Sequence, residues 1–214
     1  MSEYRTANLR QRNNHPEILI EVSSEFESGF EWLLSYFEEA VDSGTLFEDG
    51  QFVQFGWMIV TLRADQKGDL KIWEPRFDTM PIQWIQGVNM TLRHLLIQRE
   101  VCAQLTVDPL FPSLMDSGVI SDGFLGSGVI RMERETSKGG SDSGWLFRDP
   151  DAKGGRHCSL FEIAVSCPAI VPFLALPEGS AVSLNASEIQ VSCGDRQIHS
   201  SSNAFLSKLQ ARHS

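Results

Sequence analysis

The sequence places a histidine directly before a cysteine, at His157 and Cys158, and this pair is its best candidate for nucleophilic catalysis. A cysteine nucleophile requires a base within hydrogen-bonding distance and a third group that orients the base. Consecutive residues of a strand, however, point to opposite faces. The serine motif G-x-S-x-G is absent as well. We therefore predict that the protein is not an enzyme, and a hydrolase that uses His157 or Cys158 is the weakest alternative.

Glycines and aspartates could in principle form a phosphate loop or a metal site. Gly123, Gly126 and Gly128 lie close together, but the P-loop and dinucleotide-binding patterns are both missing. Asp142, Asp149 and Asp151 lack the spacing of a calcium loop. The four cysteines are all single, whereas structural zinc sites pair their ligands about two to four residues apart. The sequence thus predicts no metal and no cofactor.

Cysteine use and hydropathy indicate a compartment. The chain begins "MSEYRTANLRQRNNHPE", without the apolar stretch of a secretory signal, and no later segment has the apolar length of a membrane span. Reduced thiols are the expectation for the four cysteines of a chain of this size that is not exported. We therefore predict a cytoplasmic protein with no membrane partner.

Acidic residues concentrate near the N-terminus. The net charge is −10, and between Asn13 and Leu62 there are ten acidic residues but no lysine or arginine. The remaining acidic residues equal the basic residues in number, so this segment accounts for the whole net charge. Such a field repels nucleic acid and attracts a basic protein partner. The alternative is a solvated face that only increases solubility. The candidate partner-binding residues are Glu25, Glu31, Glu38, Glu39, Asp42, Glu48 and Asp49.

The elements that carry these acidic residues are predicted from hydrophobic spacing. Residues 17–22 are typical of a strand, and Ser24 with Glu27 has the form of a capping box before a helix that stops at Gly44. Residues 52–62 predict one long strand, which a turn joins to a second strand at residues 70–73. Residues 88–105 predict another helix. The apolar positions of the first helix are Phe26, Phe30, Leu33, Leu34, Phe37 and Val41.

The second half is separated by a segment rich in proline and glycine at residues 107–118. It is predicted to contain strands at 126–132, 145–147 and 188–193, a short helix starting at 160–165, a proline-punctuated segment that ends in a strand, and a terminal helix at 202–211. We predict an α+β fold of two α/β subdomains, with mostly antiparallel sheets and helices on one face. The predicted domains are residues 1–107 and 120–214.

Two blocks of the second half resemble a domain found among bacterial immunity proteins, the antidotes encoded beside polymorphic or contact-delivered toxins. The first block is the Asp-Ser-Gly-Trp-x-Phe stretch at residues 142–147. After it the chain has "RDPDAKGG", where the family usually has an acidic Gly-Asp-Glu run. The resemblance covers roughly residues 121–191. The second block comprises Pro168, Ile170, Pro172, Leu174, Pro177, Gly179, Ser180 and Ala181.

The first block has two possible roles. An Asp142-Ser143-Gly144 turn orders the chain ahead of a strand, and Trp145 and Phe147 would then point to the same face, into the core. The alternative is direct contact with a partner, because tryptophan is a common interface anchor.

The resemblance implies an immunity protein that binds and neutralises a cognate toxin without catalysis. We predict a cytoplasm-acting nuclease effector of a type VI-like or other contact-dependent system, because nucleases present basic clefts to which an acidic inhibitor is complementary. The alternative is an adaptor or chaperone-like module that holds an effector without neutralising it. That function requires an exposed apolar patch, for which "AIVPFLAL" at residues 169–176 is the only candidate. The oligomeric state is left open.

Overall fold

A computed structural model of the chain describes residues 1–26, 28–126, 128–149 and 152–213. It divides into two compact units, Met1–Leu95 and Leu96–Ser214. Thirteen strands in the described residues form two sheets, and all but two of the strand pairings are antiparallel. The predicted α+β class is confirmed. The domain limits at residues 107 and 120 stay a prediction.

Unit 1 is a sheet covered by a helix. The sheet has the strand order β1-β2-β5-β4-β3, and β6 pairs with the far end of β5. The core lies between this sheet and α2, whose Leu33, Phe37 and Val41 are buried at successive turns. In chain order the elements are β1 (Ser2–Arg5), α1 (Leu9–Asn13), β2 (Ile18–Val22), α2 (Glu31–Asp42), β3 (Phe52–Phe55), β4 (Met58–Ala64), β5 (Leu70–Pro75), β6 (Trp84–Gln86) and α3 (Asn89–Gln104), which ends in unit 2.

Helix α2 begins later than the sequence predicts. Ser24 lies in a turn, and the helix starts at Glu31, after Gly29 has adopted a φ of 88°. The predicted capping box is therefore wrong as regards Ser24, while its Glu27 lies outside the described residues. The backbone N–H of Gly29 donates to the Glu31 carboxylate instead, at 2.7 Å. The predicted stop is confirmed, since the helix ends at Asp42 and Gly44 follows with a φ of 95°.

The predicted long strand at residues 52–62 is wrong, because the chain reverses inside it. Phe55 and Met58 pair across a tight hairpin that joins β3 to β4. Gly56 supplies the positive φ that such a two-residue turn requires. Trp57 is fully buried although it lies in the turn, so the apolar run continues without a break. The predicted hairpin between β4 and β5 and the helix α3 are confirmed.

Unit 2 is a sheet with the strand order β10-β7-β9-β8-β11-β12-β13. The predicted strand at 126–132 starts later, because residues 124–126 form a short 3-10 turn. The other strands and helices predicted for this half are confirmed, and β7, β10 and β13 are additional. In chain order the elements are β7 (Ser117–Ser121), β8 (Ile130–Arg134), β9 (Asp142–Arg148), β10 (Gly155–Ser159), α4 (Leu160–Ser166), a 3-10 helix (Pro168–Phe173), β11 (Ser180–Leu184), β12 (Ile189–Cys193), β13 (Arg196–His199) and α5 (Ala204–His213).

Candidate functional site

The seven predicted partner-binding residues lie on α2 and on the loops beside it. Glu25 precedes the helix, four of the residues belong to it, and Glu48 and Asp49 follow in the loop that leads to β3. Glu38 is half-buried, and the other six are exposed. Unit 1 therefore presents several carboxylates on and around one helix, as the sequence pattern indicates.

Arginines from other segments neutralise part of the negative charge of this acidic segment in the folded protein. Arg93 of α3 contacts Glu25 at 2.6 Å, and Arg12 of α1 contacts Asp42 at 2.9 Å. Both arginines lie outside the segment that lacks basic residues, so the sequence pattern alone overstates the uncompensated charge. The four side chains are all substantially exposed, and such pairs contribute little to stability.

Three further carboxylates bind backbone N–H groups of their own unit. Glu38 accepts from Ala7 at 2.6 Å, and Asp49 accepts from Ala64 at 2.8 Å. Hydrogen bonds from the backbone of residues 29–31 lower the pKa of Glu31. These residues have structural roles that a charge-reversing substitution would also remove.

Glu39 and Glu48 differ from the other five candidates. Both are exposed, and their side chains form no hydrogen bond or ion pair with the described part of the chain. Their charges are therefore available to a partner. The assignment of all seven residues to a binding surface stays a prediction.

Two aromatic side chains lie beside these carboxylates and were missed at the sequence level. Trp32 and Tyr36 are 38% and 42% exposed, one turn apart on α2, and both rings pack edge-on against Phe55 of β3. The helical period could have found them, because it places both outside the stripe of buried positions on α2. We call the exposed side of α2 the α2 outer face, and it consists of Glu31, Trp32, Ser35, Tyr36, Glu39 and Asp42.

The Asp-Ser-Gly turn at the start of β9 is held by local hydrogen bonds. Asp142 accepts from the backbone of Lys138 at 2.8 Å and of Gly144 at 3.0 Å, and these two bonds lower its pKa. The Ser143 hydroxyl donates to the Ser117 carbonyl at 2.8 Å, where the pairing of β7 with β9 changes register. The turn therefore fixes how β9 enters the sheet.

The aromatic residues of the same stretch belong to the core of unit 2. Trp145 and Phe147 are fully buried. The indole N–H of Trp145 donates to the Leu174 carbonyl at 3.0 Å, which connects the first motif block to the second. Tryptophan here stabilises the unit through burial and a hydrogen bond, and it presents no surface to a partner.

Arg134 of β8 joins the two motif blocks and was also missed. It is 5% exposed, and its guanidinium lies 5.5 Å from the ring centre of Trp145. Burial lowers its pKa to about 10, so it stays charged at neutral pH. The guanidinium donates to four backbone carbonyls, those of Leu110 at 2.5 Å, Ser143 at 3.2 Å, Leu174 at 3.3 Å and Leu176 at 2.6 Å.

The proline-punctuated segment folds around this arginine. Pro172 lies inside the 3-10 helix and is buried, as are all residues from Ile170 to Leu176. Pro177 is half-buried, and the exposed Gly179, with a φ of 79°, donates its N–H to the Arg134 carbonyl at 2.8 Å. The stretch that an adaptor would need as an exposed apolar patch is therefore core.

Gly144 provides a test of the turn. A Cβ atom there would lie 2.2 Å from the Glu135 carbonyl oxygen, and the φ of 75° already disfavours other residues. We expect Gly144→Ala to lower the free energy of unfolding by about 3 kcal/mol, measured by urea denaturation. Gly140→Ala is the control, because φ is 65° and nothing lies within 4 Å of the added atom. It should cost only about 1–2 kcal/mol, and equal losses would contradict the steric account.

The candidate catalytic pair is divided by its strand. His157 is exposed and Cys158 is buried on β10, so the prediction that they face opposite sides is confirmed. Burial, followed by the neighbouring Glu162 carboxylate, raises the pKa of the Cys158 thiol to about 11, which leaves almost no thiolate at neutral pH.

Neither a metal centre nor a membrane span is found in the described ranges. No group of three or more histidine, cysteine, aspartate or glutamate side chains there is placed to bind a metal ion. All four cysteines are free. The helices within those ranges are all too short or too polar to span a bilayer.

Residues 97–195 match the family model of the Imm33-like domain, an immunity-protein-like family. The match covers somewhat less than half of the chain and lies wholly within unit 2. Neither the curated proteins nor the solved structures contain a match to this chain. Unit 2 is thus similar to an immunity-protein-like family, which agrees with the resemblance seen in the sequence, while the two motif blocks stay predicted markers of it.

Proposed function

We propose that this protein is an immunity protein that binds a cognate bacterial toxin and neutralises it without catalysis. The match of residues 97–195 to the Imm33-like domain carries the proposal. The burial of the Cys158 thiol, with its raised pKa, and its separation from His157 give further support, because they leave the candidate catalytic pair without a nucleophile.

We further propose that the toxin is a nuclease that acts in the cytoplasm and is delivered by a type VI-like or other contact-dependent system. Nucleases hold the phosphate backbone in basic clefts, and the acidic surface of unit 1 is complementary to such a cleft. The four free cysteines are consistent with a reducing compartment. The same acidic surface disfavours nucleic acid as a direct partner of this protein.

The proposal is tested by co-expression with the products of the neighbouring genes, of which the toxin is the one that kills cells when it is produced alone. Cells that produce both proteins should survive, and the two proteins should co-purify at low salt in a constant ratio. An adaptor would bind the effector but leave it lethal, so death of the cells despite a stable complex would replace the immunity function by the adaptor function. Survival without a complex would contradict direct binding.

Charge reversal tests the proposed contact surface. The double variant Glu39→Lys with Glu48→Lys should weaken toxin binding by about 100-fold or more at low salt, because close charge pairs at an interface contribute about 1.5 kcal/mol or more each. These two carboxylates hold no structural hydrogen bond in the described residues, so folding should be retained. The measurement is the Kd at several salt concentrations, and its salt dependence should decrease in the variant.

The matched control is Asp108→Lys with Asp195→Lys. These two acidic residues are exposed in unit 2, and their reversal changes the net charge by the same amount. The control should bind the toxin nearly as the parent protein does. Equal weakening by both double variants would mean that only the net charge affects toxin binding. No weakening by Glu39→Lys with Glu48→Lys would make the assignment of the acidic residues to the contact surface wrong.

A further inference from the structure

We infer that Trp32 and Tyr36 form the energetic centre of the toxin contact, and that they stack against arginine side chains of the toxin. The inference rests on the proposed function and adds the residues and the partner chemistry. The two side chains lie one turn apart on the α2 outer face and remain 38% and 42% exposed.

The two rings are held in place without being buried. The ring centre of Trp32 lies 5.7 Å from that of Phe55, and the ring centre of Tyr36 lies 5.1 Å from it, both nearly perpendicular. Phe55 itself is only 4% exposed and belongs to the core of unit 1. A partner therefore meets aromatic surfaces whose orientation is already fixed, and little side-chain entropy is lost on binding.

Carboxylates on the same face select the partner's chemistry. Glu39 lies three residues after Tyr36, so its carboxylate is a neighbour of that ring on the helix surface. Glu31 adds a second carboxylate to the α2 outer face. Glu39 has no intramolecular partner in the described ranges. An arginine can stack its planar guanidinium on an aromatic ring while its N–H groups donate to a carboxylate. A lysine ammonium is more strongly hydrated and meets both demands less well.

The protein uses the same interaction within its own units. The guanidinium of Arg63 lies 4.7 Å from the ring centre of Trp73 in unit 1, on the sheet.

A second copy of the chain would bring further carboxylates to the α2 outer face and be repelled, so the charge favours a basic partner over a homodimer.

Two peptides distinguish arginine from positive charge in general. Fluorescently labelled hexa-arginine and hexa-lysine are titrated with the full chain at low salt, and the Kd values are compared by anisotropy. We expect hexa-arginine to bind about 2- to 5-fold more tightly, because lysine also makes cation–π contacts and only part of the roughly 1–2 kcal/mol from two exposed contacts distinguishes the peptides. The variant Trp32→Leu with Tyr36→Leu should bind the two peptides equally. Tyr36→Phe should retain the preference, because stacking requires the ring and not the hydroxyl.

The control replaces a second aromatic pair of unit 1. Phe52 is 61% exposed and its ring centre lies 5.5 Å from that of Trp84, so Phe52→Leu with Trp84→Leu removes surface aromatics away from α2. This variant should keep the arginine preference. Three results would overturn the inference. The first is equal Kd values of the parent protein for the two peptides, and the second is an arginine preference that survives the replacement of Trp32 and Tyr36. The third is a parent protein that is a dimer in solution and becomes a monomer when Trp32 and Tyr36 are replaced.

The same variants separate this inference from the proposed function. If the parent protein neutralises the toxin and the variant lacking Trp32 and Tyr36 binds it with unchanged Kd, the inference fails while the immunity function stands. If the parent does not neutralise the toxin, the immunity function fails, whatever the peptides show. Loss of toxin binding in this variant alone, with Tyr36→Phe and the control variant unaffected, is the expected result.

Discussion

Replacing Arg134 by leucine is expected to lower the free energy of unfolding of unit 2 by about 3–5 kcal/mol. The guanidinium donates hydrogen bonds to the carbonyls of four residues in three segments that are far apart in sequence. Leucine fills part of the space but leaves these carbonyls without this donor in a site that water reaches poorly. The Leu174 carbonyl keeps the indole N–H of Trp145 as a donor, so the cost falls mainly on the buried carbonyls of Ser143 and Leu176. An unsatisfied buried carbonyl costs about 1–3 kcal/mol, and two such losses outweigh the gain from an apolar side chain.

Arg131→Leu is the matched control for this prediction. Arg131 lies on the same strand, β8, but is exposed, so its replacement should change stability by less than about 0.5 kcal/mol. Urea denaturation gives the free energies, and hydrogen exchange resolved by peptide shows where protection is lost. The loss should concentrate in β8, β9 and residues 168–176. Similar losses in both variants, or none in Arg134→Leu, would show that the carbonyl contacts do not stabilise the unit.

Local patterns predicted many of the elements but not every turn between them. The spacing of Leu33, Phe37 and Val41 marks α2 because each of them is buried against the sheet. The hairpin at Gly56 was missed because the next residue, Trp57, is buried, so the apolar run is not interrupted at the turn. Strand β1 was missed for the opposite reason, since all four of its residues are exposed and it carries no apolar pattern.

The candidate surface could be predicted only in part. Acidic composition locates the segment, but Trp32 and Tyr36 were missed, although the helical period separates them from the buried positions of α2. The pairing of Arg12 with Asp42 and of Arg93 with Glu25 depends on contacts between elements distant in sequence, which one sequence does not reveal. Arg134 was missed because arginine is rarely buried, and only the fold shows that the carbonyls of distant segments converge on it.

Acidification is expected to destabilise unit 1 through His94. This residue of α3 is 8% exposed, and its ring centre lies 5.5 Å from that of Trp57 and 4.8 Å from that of Phe77. Its Nδ1 atom has no hydrogen-bond partner among the described residues. Burial, with a smaller contribution from the charge of Arg93, lowers the pKa of His94 to about 3.

The sign of the effect follows from comparing folded and unfolded chains. An unfolded histidine takes up a proton near pH 6.5, whereas the folded His94 stays neutral down to about pH 3. The unfolded state therefore binds more protons in this window. The contribution of neutral His94 to the free energy of unfolding is therefore fully present above pH 6.5. It is lost as the pH falls below that value, by up to about 1.4 kcal/mol per pH unit.

His94→Phe isolates this contribution, because phenylalanine has a similar flat shape and does not titrate. Between pH 7 and pH 5, the parent protein should lose about 2 kcal/mol more unfolding free energy than this variant, since other titrating groups are common to both. His157→Phe, at an exposed site, should follow the parent's pH profile. Urea denaturation at each pH supplies the values. Parallel profiles of the parent and His94→Phe would mean that His94 takes up its proton in the folded protein as readily as in the unfolded chain, and the acid sensitivity of unit 1 would then have to come from its other titratable groups.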